Sequence, residues 1–218
     1  MFSDIHGNLP ALECFINCTK GKVDQYICLG DVVNYGPWND ECLELVLSLP
    51  NIVLLEGNHE RLFLGLEPIE HEIPLVQEFY NSSEKYFSRP DMISNLQSYY
   101  RMDHFLCTHT IDNKKIYADT DIQVNDDYLI GHTHHQFIIN RSGKNIINCG
   151  SIGHNRGDSE RLNYALFNTV SGNISLHAET YPLGIFIREL ESRGYSQRCI
   201  DYYIRKQIEP DPENWTGA

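Results

Sequence analysis

The sequence predicts a protein of the α/β class whose sheet is at least partly parallel. Apolar, strand-like runs alternate with helix-like stretches over residues 1–59, and polar loops separate them. A chain of 218 residues is long enough to bury one sizeable core. We therefore expect one domain over residues 1–207. A loosely held tail over 208–218 follows, with two prolines and few apolar residues.

The first half of the chain alternates strands and helices. Only Met1, Phe2 and Ser3 precede the first polar turn, so either the first strand is very short or the natural first residues are missing. A helix is predicted over 9–19, followed by a strand over 23–29, a helix over 39–49 that ends before Pro50, and a strand over 52–55. Residues 60–98 are predicted to be mostly helical, with a break at Arg89-Pro90.

Strand patterns dominate the second half. Residues 99–108 are predicted to form a hairpin that turns near Met102-Asp103. Further strands are predicted over 128–131, 137–141, 145–149, 163–169 and 173–180. Two amphipathic helices, separated at Gly194, are expected over 183–206.

The composition restricts the classes of partner. With 30 acidic and 17 basic residues, the net charge of −13 argues against binding of a nucleic-acid polymer, which needs basic residues to displace counterions. A small phosphate ester held by metal cations stays compatible with this charge. No apolar run approaches the roughly 20 residues of a membrane span, and Asp4 and His6 come too early for a signal peptide. The seven cysteines contain no C-x-x-C pair, so we expect reduced thiols and a cytoplasmic protein.

Polar side chains recur at the points where predicted strands end. In an open α/β sheet such loops meet in one crevice, so these residues are expected to converge. They are Asp4, His6, Asp31, Asn58, His59, His109, His132 and His134. Oxygen and imidazole ligands without a thiolate suit Mn, Fe, Zn, Co or Ni better than a lone Mg or Ca.

The number of ligands points to two ions. Seven ligands, with His59 set aside, are too many for one ion that keeps a water, whereas two ions sharing a carboxylate would use them all. Two ions about 4 Å apart can hold a bridging hydroxide and stabilise an in-line displacement at phosphorus. His59 follows the presumed ligand Asn58, so its side chain points elsewhere and could approach the leaving oxygen as a general acid.

Five motifs in a fixed order carry a family resemblance. Together they resemble the calcineurin-like metallophosphoesterase superfamily over about residues 1–157; they are Asp4-Ile5-His6-Gly7-Asn8, Gly30-Asp31-Val32-Val33, Gly57-Asn58-His59-Glu60, His109 and Gly131-His132-Thr133-His134. The resemblance implies a four-layer α-β-β-α sandwich, with two mixed β-sheets flanked by helices. The length and the Asn34-Tyr35-Gly36-Pro37 segment are most similar to the small single-domain prokaryotic phosphodiesterase-like branch.

The resemblance also implies a role for each motif residue. The first metal would be bound by Asp4, His6 and His134, the second by Asn58, His109 and His132, with Asp31 bridging. Alternation along a strand would let positions 132 and 134 share one face. His59 would be the general acid or a phosphate-binding group.

Three departures leave the substrate open. Asn34-Tyr35-Gly36 stands where the serine/threonine protein phosphatases have Asp-Arg-Gly, which argues against a protein phosphatase. Thr110-Ile111-Asp112 follows His109 where Gly-Ser-Pro is common. His154-Asn155 precedes Arg156 where the related proteins often have Gln-Pro.

Several other residues allow two interpretations. Asn8 either binds phosphate or starts a helix, and Arg156 either pairs with a phosphate oxygen or lies on the surface. His154 and Tyr35 are weak candidates for the cleft, His135 is expected outside the ligand set, and His71, His104 and His177 receive no role. Glu60 is expected to be a solvated helix start. The aromatic residues over 79–87 favour core packing, although the surface over 79–105 is a candidate interface for an oligomer.

The resulting hypothesis is a dinuclear metal-dependent phosphoesterase with two divalent ions, manganese first, acting on a small phosphate ester. The resemblance favours phosphodiesters, hydrolysed by a metal-bridging hydroxide. One alternative is a phosphatase acting on phosphoproteins or dinucleotide polyphosphates. Another is a metal-binding scaffold with little turnover, which the complete ligand set argues against.

Overall fold

The computed structural model describes residues 1–208, and the predicted elements follow one another in the expected order. Within these residues the helices are α1 Leu9–Thr19, α2 Asn39–Leu47, α3 Asn58–Phe63, α4 Pro74–Ser83, α5 Pro90–Ile93, α6 Leu183–Ser192 and α7 Gln197–Ile208. The strands are β1 Tyr26–Cys28, β2 Ile52–Leu54, β3 Tyr99–Met102, β4 Phe105–Thr108, β5 Asp127–Ile130, β6 Phe137–Arg141, β7 Lys144–Asn148, β8 Arg161–Asn168 and β9 Asn173–Thr180. Of the tail predicted over 208–218, Ile208 is the last residue of α7, and residues 209–218 lie outside the described residues.

The first sheet is assembled around the first two residues of the chain. Strands β1 and β2 pair in parallel, and Phe2 forms a parallel bridge with Cys28. Met1 exchanges two hydrogen bonds with Ala165, its amino group donating to the Ala165 carbonyl and its own carbonyl accepting from the Ala165 N–H. The antiparallel hairpin of β8 and β9 is thereby joined to β1 and β2.

The second sheet has five strands in the order β3-β4-β5-β7-β6. Its central strands β4, β5 and β7 are parallel, while β3 and β6 are antiparallel at the edges. A shared apolar cluster fills the space between the two sheets and draws on both of them; it includes Ile27, Leu29, Leu55, Phe105, Cys107, Leu129, Ile147, Cys149 and Ala165. The predicted fold class, an α/β sandwich of two mixed sheets flanked by helices, is confirmed.

The outer faces of the two sheets are covered differently. Helices α1, α2, α4, α6 and α7 contribute to one large apolar cluster with the first sheet. Helix α1 is typical, since Ala11, Leu12 and Phe15 recur at helical spacing and are buried. On the outer face of the five-stranded sheet, irregular chain containing Ile111 and Ile116 provides the cover in place of a helix.

Two predicted stretches differ in detail. Strand β1 begins at Tyr26 because Asp24 and Gln25 before it are exposed. The 60–98 region is less helical than expected. A proline occupies the first position of α4 and of α5, so neither helix can continue from the residues before it, and short 3-10 turns occupy 69–71 and 84–86. Phe79 is fully buried, as core packing predicts. All seven cysteines are free, and no helix among residues 1–208 has the length and apolar character needed to cross a membrane.

Candidate metal centre

Parallel strands bring the predicted ligands to one end of the sandwich. Asp31 follows β1, Asn58 follows β2, His109 follows β4 and His132 follows β5, while Asp4 and His6 follow the Phe2 bridge. Because these strands run in the same direction in their sheets, their carboxyl ends face one crevice. All seven predicted ligands, together with His59, meet there.

The ligands form two groups. The closed group consists of Asp4, His6 and His134, all buried. The Nε2 atom of His134 lies 3.2 Å from Asp4 Oδ1 and 3.2 Å from His6 Nε2. Three ligand atoms therefore surround one point in the interior.

The open group consists of Asn58, His109 and His132. The amide oxygen of Asn58 lies 3.0 Å from His109 Nε2 and 2.9 Å from His132 Nδ1. Asn58 and His132 are half-buried, whereas the closed group is buried and only its His134 reaches the cavity wall. This group consequently faces the solvent side of the crevice.

Asp31 lies between the two groups. Its Oδ2 atom is 3.1 Å from His109 Nε2 in the open group and 3.9 Å from His6 Nε2 in the closed group. Its Oδ1 atom accepts a hydrogen bond from the His59 N–H at 2.9 Å, which fixes the plane of the carboxylate. One oxygen is thus held by the protein while the other faces both groups.

Backbone carbonyls determine which nitrogen each histidine presents. The Nδ1–H groups of His6, His109 and His134 donate to the carbonyls of Val33, Leu29 and His154 at 3.0, 2.9 and 2.6 Å. In a neutral imidazole held this way, Nε2 carries a lone pair. Lone pairs of His6 and His134 therefore face each other and Asp4 in the closed group.

The protonation states agree with this arrangement in the closed group. Burial, followed by the neighbouring His59, lowers the pKa of His6 well below its ordinary value, and burial with Arg156 lowers the pKa of His134 in the same way. In the open group, burial lowers the pKa of His132 to about 4. Burial also works to lower the pKa of His109, but the Asp31 carboxylate outweighs it and raises the value to about 10.

The donor set fits a metal cation. Asp4 Oδ1 is a buried carboxylate oxygen that lacks a hydrogen-bond partner, and the buried Asp31 Oδ2 has the His109 Nε2 atom as its nearest polar neighbour, at 3.1 Å. Buried acceptors that face one another without a donor are costly, and a cation placed among them would satisfy them. The side chains of Asp4, His6, Asp31, Asn58, His109, His132 and His134 are therefore candidate metal ligands that lie close enough to act together.

The ligand backbone adopts a strained conformation. Five of the seven candidate ligands have a positive φ: 55° for Asp4, 53° for His6, 57° for Asp31, 68° for His132 and 61° for His134. Non-glycine residues seldom occupy this region except where the surrounding structure enforces it. The expectation that 132 and 134 share a face through strand alternation is wrong, because β5 ends at Ile130 and both residues lie in a left-handed loop.

Glu60 is a buried residue beside the site, and the prediction that it would be solvated is wrong. Expected to be solvated, it is fully buried, and its carboxylate accepts four backbone N–H groups, from Gly57 and from Asp31, Val32 and Val33 at 2.7–3.3 Å. It therefore ties the Asp31 loop to the start of α3. Its position three residues after Gly57 was the available signal, since a Glu at that position commonly binds the backbone at a helix start.

Two glycines allow the loops to approach closely. A Cβ atom at Gly57 would lie 2.1 Å from Asp31 Oδ1, and one at Gly131 would lie 2.6 Å from Asp4 Oδ2. Any side chain at either position would displace a ligand carboxylate.

Asn8 serves the fold in this structure. Its side-chain oxygen accepts the Ala11 N–H at the start of α1, and its amide donates to the Gly153 carbonyl and the Tyr181 hydroxyl. These contacts are those of a helix N-cap that also connects to the loop before β8.

A small cavity of about 120 Å³ opens over the ligands. Its walls include Asn58, His59, His132 and His134 from the site, together with Tyr35, Glu72, Ile73, Leu75, Val76, Lys115, His154, Arg156 and Tyr202. Arg156 is half-buried and donates to the Tyr202 hydroxyl at 2.8 Å. Both weak candidates for the cleft, Tyr35 and His154, are buried at its wall.

The remaining histidines lie away from the ligand atoms. His135 contacts the Tyr117 ring, His104 pairs with Asp103 in an exposed turn, and His177 contacts Ser175. None of them, nor His71, joins a metal-type group among the described residues.

The fold and the site together define a metal-binding α/β sandwich whose ligands stand at the ends of parallel strands. The family model of the calcineurin-like phosphoesterases matches residues 1–169. The chain belongs to this family, as the motifs predicted, and it is a hydrolase of phosphate esters.

Individual relatives are distant in sequence. An uncharacterized protein of Methanocaldococcus jannaschii, MJ0912, is 25% identical, with 84% of this chain and 87% of that protein covered. The crystal structure of a metallophosphoesterase from Sphaerobacter thermophilus superimposes with a TM-score of 0.74 at 22% identity, covering 94% of this chain and 97% of that one. A hypothetical protein from Pyrococcus horikoshii OT3, PH1004, gives 0.75 at 13% identity, covering 93% and 95%. These likenesses establish the fold.

Proposed function

We propose that the chain is a dinuclear metal-dependent phosphoesterase that hydrolyses a small phosphate ester, with a preference for phosphodiesters. The observation that carries this proposal is the position of Asp31, whose Oδ2 atom faces the open group at 3.1 Å and the closed group at 3.9 Å. A carboxylate placed in this way is suited to be shared by two cations.

Each group would bind one divalent ion. Asp4, His6 and His134 would bind the first, Asn58, His109 and His132 the second, and Asp31 would bridge. Bound cations would supply a water of lowered pKa and neutralise charge on the phosphoryl oxygens. Mixed oxygen and imidazole ligands favour manganese, with iron, zinc, nickel and cobalt as alternatives.

Residues around the cavity would act on the substrate. His59 is buried at the cavity wall and would reach an oxygen of the reacting phosphate. Arg156, oriented by the Tyr202 hydroxyl, would pair with a phosphate oxygen. Asn8 would act indirectly, because its amide holds the Gly153 carbonyl in the loop that leads to Arg156.

The cavity and the charge limit the substrate. The cavity of about 120 Å³ is small, so we expect a large alcohol group to extend out of it, past the exposed Ile73 at its wall. The net charge of −13 disfavours a nucleic-acid polymer. We place the enzyme in the cytoplasm, where seven free cysteines would stay reduced.

Two other functions remain as alternatives. A phosphatase acting on phosphoproteins or dinucleotide polyphosphates would need its large substrate to reach the small cavity from outside. A metal-binding scaffold with little turnover would bind two ions and hydrolyse no activated ester. The presence of all seven ligands together with His59 favours an enzyme.

The test begins with protein stripped of metal by a chelator and reloaded with Mn²⁺, Ni²⁺, Zn²⁺ or Mg²⁺. We expect two equivalents by mass spectrometry and hydrolysis of bis-(p-nitrophenyl) phosphate in preference to p-nitrophenyl phosphate. Two equivalents without hydrolysis of either ester would favour the scaffold. Failure to bind any of these ions would overturn the proposal.

A further inference from the structure

Asn34 is a buried residue in the loop that follows Asp31, and its conformation is tightly defined. It has a φ of 74°, and the next residue, Tyr35, has a φ of 60°. The backbone N–H of Asn34 donates to Asn39 Oδ1 at 2.9 Å. The side chain is fully buried, so its polar atoms depend on protein partners.

The orientation of the Asn34 amide follows from its two contacts. Its Oδ1 atom accepts the Tyr35 N–H at 2.7 Å, and only the carbonyl end of an amide can accept. The other end, the Nδ2 amino group, then lies 2.7 Å from His59 Nδ1. An amino group can only donate, so His59 Nδ1 must accept with its lone pair.

The proton of a neutral His59 therefore resides on Nε2. This atom faces the metal centre, at 3.9 Å from Asp31 Oδ2, and the His59 ring lines the cavity. His6 and Tyr35 rings pack around it at centroid distances of 4.9 and 5.1 Å. The ring thus presents an N–H group to whatever occupies the cavity.

We propose that Asn34 is a positioning residue that makes His59 a hydrogen-bond donor to the reacting phosphate and not a proton donor to the leaving group. Release of the Nε2 proton would leave an imidazolate anion beside Asp31. A second proton on Nδ1 would point at the Asn34 amino group. His59 therefore keeps its one proton, and the leaving oxygen takes its proton from water.

The role at the phosphate rests on the proposed function, whereas the position of the proton is a property of the chain itself. An aspartate at position 34 would reverse the arrangement. Its carboxylate would accept from Nδ1–H, and it would stabilise an imidazolium that can give up the Nε2 proton. Asn34→Asp is therefore the informative substitution.

The first test determines which ring nitrogen of His59 carries the proton. Protein labelled with ¹⁵N-histidine is examined by long-range ¹H–¹⁵N correlation NMR, without metal and loaded with diamagnetic Zn²⁺, and the His59 signals are identified by their loss in His59→Gln. We expect a protonated Nε2 and an unprotonated Nδ1 in the wild-type protein. A protonated Nδ1, alone or with Nε2, would overturn the proposal. Failure of Zn²⁺ to bind would count against the proposed function. The spectrum of the metal-free protein would then still decide which nitrogen of His59 carries the proton.

The second test compares Asn34→Asp with Asn39→Asp, a neighbouring buried asparagine that does not contact His59. We expect Asn34→Asp to move the His59 proton to Nδ1, and Asn39→Asp to leave it on Nε2. Asn34→Asp should also raise kcat/KM on an alkyl phosphodiester relative to the p-nitrophenyl diester by about tenfold, since a general acid helps poor leaving groups most. An unchanged tautomer in a folded Asn34→Asp protein would contradict the proposal; if that variant does not fold, the wild-type spectrum decides.

Discussion

The closed and open groups use similar ligand atoms but differ in their surroundings. In the closed group Asp4 and His6 are fully buried, and each histidine is anchored through Nδ1 to a backbone carbonyl. In the open group Asn58 and His132 are half-buried and line the cavity. Under the proposed two-metal assignment, the first ion would therefore lie within the protein core, and the second would be accessible to solvent and substrate.

This difference separates two tasks. A position surrounded by protein is expected to retain its ion, because exchange requires the loops to open. A position that borders the cavity is expected to exchange its ion faster and to contact the substrate. Asp31 lies close to both the closed and the open group. Substitutions of Asp31 and of residues near it therefore test whether the two groups act as one centre or as two independent sites.

The largest effect is expected for Asp31→Asn, which removes the charge that both groups share. We expect metal content to fall in both groups and turnover to drop by roughly a thousandfold or more, because several kcal/mol of charge stabilisation are lost. Metal analysis and diester hydrolysis measure the two effects. Retention of one tightly bound ion would indicate that the groups are independent.

His134→Ala and His132→Ala test the two groups within one loop. Both residues have positive φ, at 61° and 68°, so the substitutions impose similar backbone strain. We expect His132→Ala to retain one equivalent of metal in the closed group, and His134→Ala to lose that ion. Metal analysis after gel filtration distinguishes them, with His135→Ala, at the position directly after His134, as the matched control. Identical losses in both variants would contradict the comparison.

Glu60→Gln tests the support that lies behind both groups. The substitution replaces one carboxylate oxygen with an amino group, so two of the four backbone N–H groups would face a donor. We expect a loss of about 3–5 kcal/mol in the free energy of unfolding, as for removal of one partner from a buried charged network. Urea unfolding measures it, and Glu191→Gln on the exposed surface of α6 is the control. A loss below about 1 kcal/mol, within the range of one ordinary hydrogen bond, would argue against this role.

The smallest effect is expected at the cavity wall. Arg156→Lys keeps the charge and loses the planar donor geometry, so we expect KM to rise by about tenfold with metal content unchanged. Steady-state kinetics on the diester measure the change. Arg161→Lys, at an exposed position paired with Asp158, is the control. A fall in kcat alone would place Arg156 in the chemical step and not in binding.

The sequence predicted that the candidate ligands would converge, because each follows an apolar run and parallel strands bring such positions together. It also predicted most elements, including α1 with the bounds observed. It could not reveal the left-handed backbone at Asp4, His6 and Asp31, because residues of this type seldom adopt positive φ and only tertiary contacts enforce it.

Charged and buried groups were harder to predict. A charged residue at the start of a helix, such as Glu60, is usually exposed to solvent. Its burial is explained only by the four backbone N–H groups that it accepts. The contact between Asn34 and His59 joins loops 25 positions apart, and no local pattern encodes it. The helical content of residues 60–98 was overestimated. Prolines interrupt the helix-forming residues there, and each begins a separate short helix.

The wide separation of the candidate metal ligands along the sequence also has a consequence for the order of folding and metal binding. His6 and His134 are 128 positions apart, and His132 and Asn58 are 74 apart. Contacts of such separation form late in folding, since the intervening chain must first be closed into long loops. We therefore expect a nascent chain to lack an ion-binding position until the whole sandwich has formed, so that ion capture follows folding and does not nucleate it.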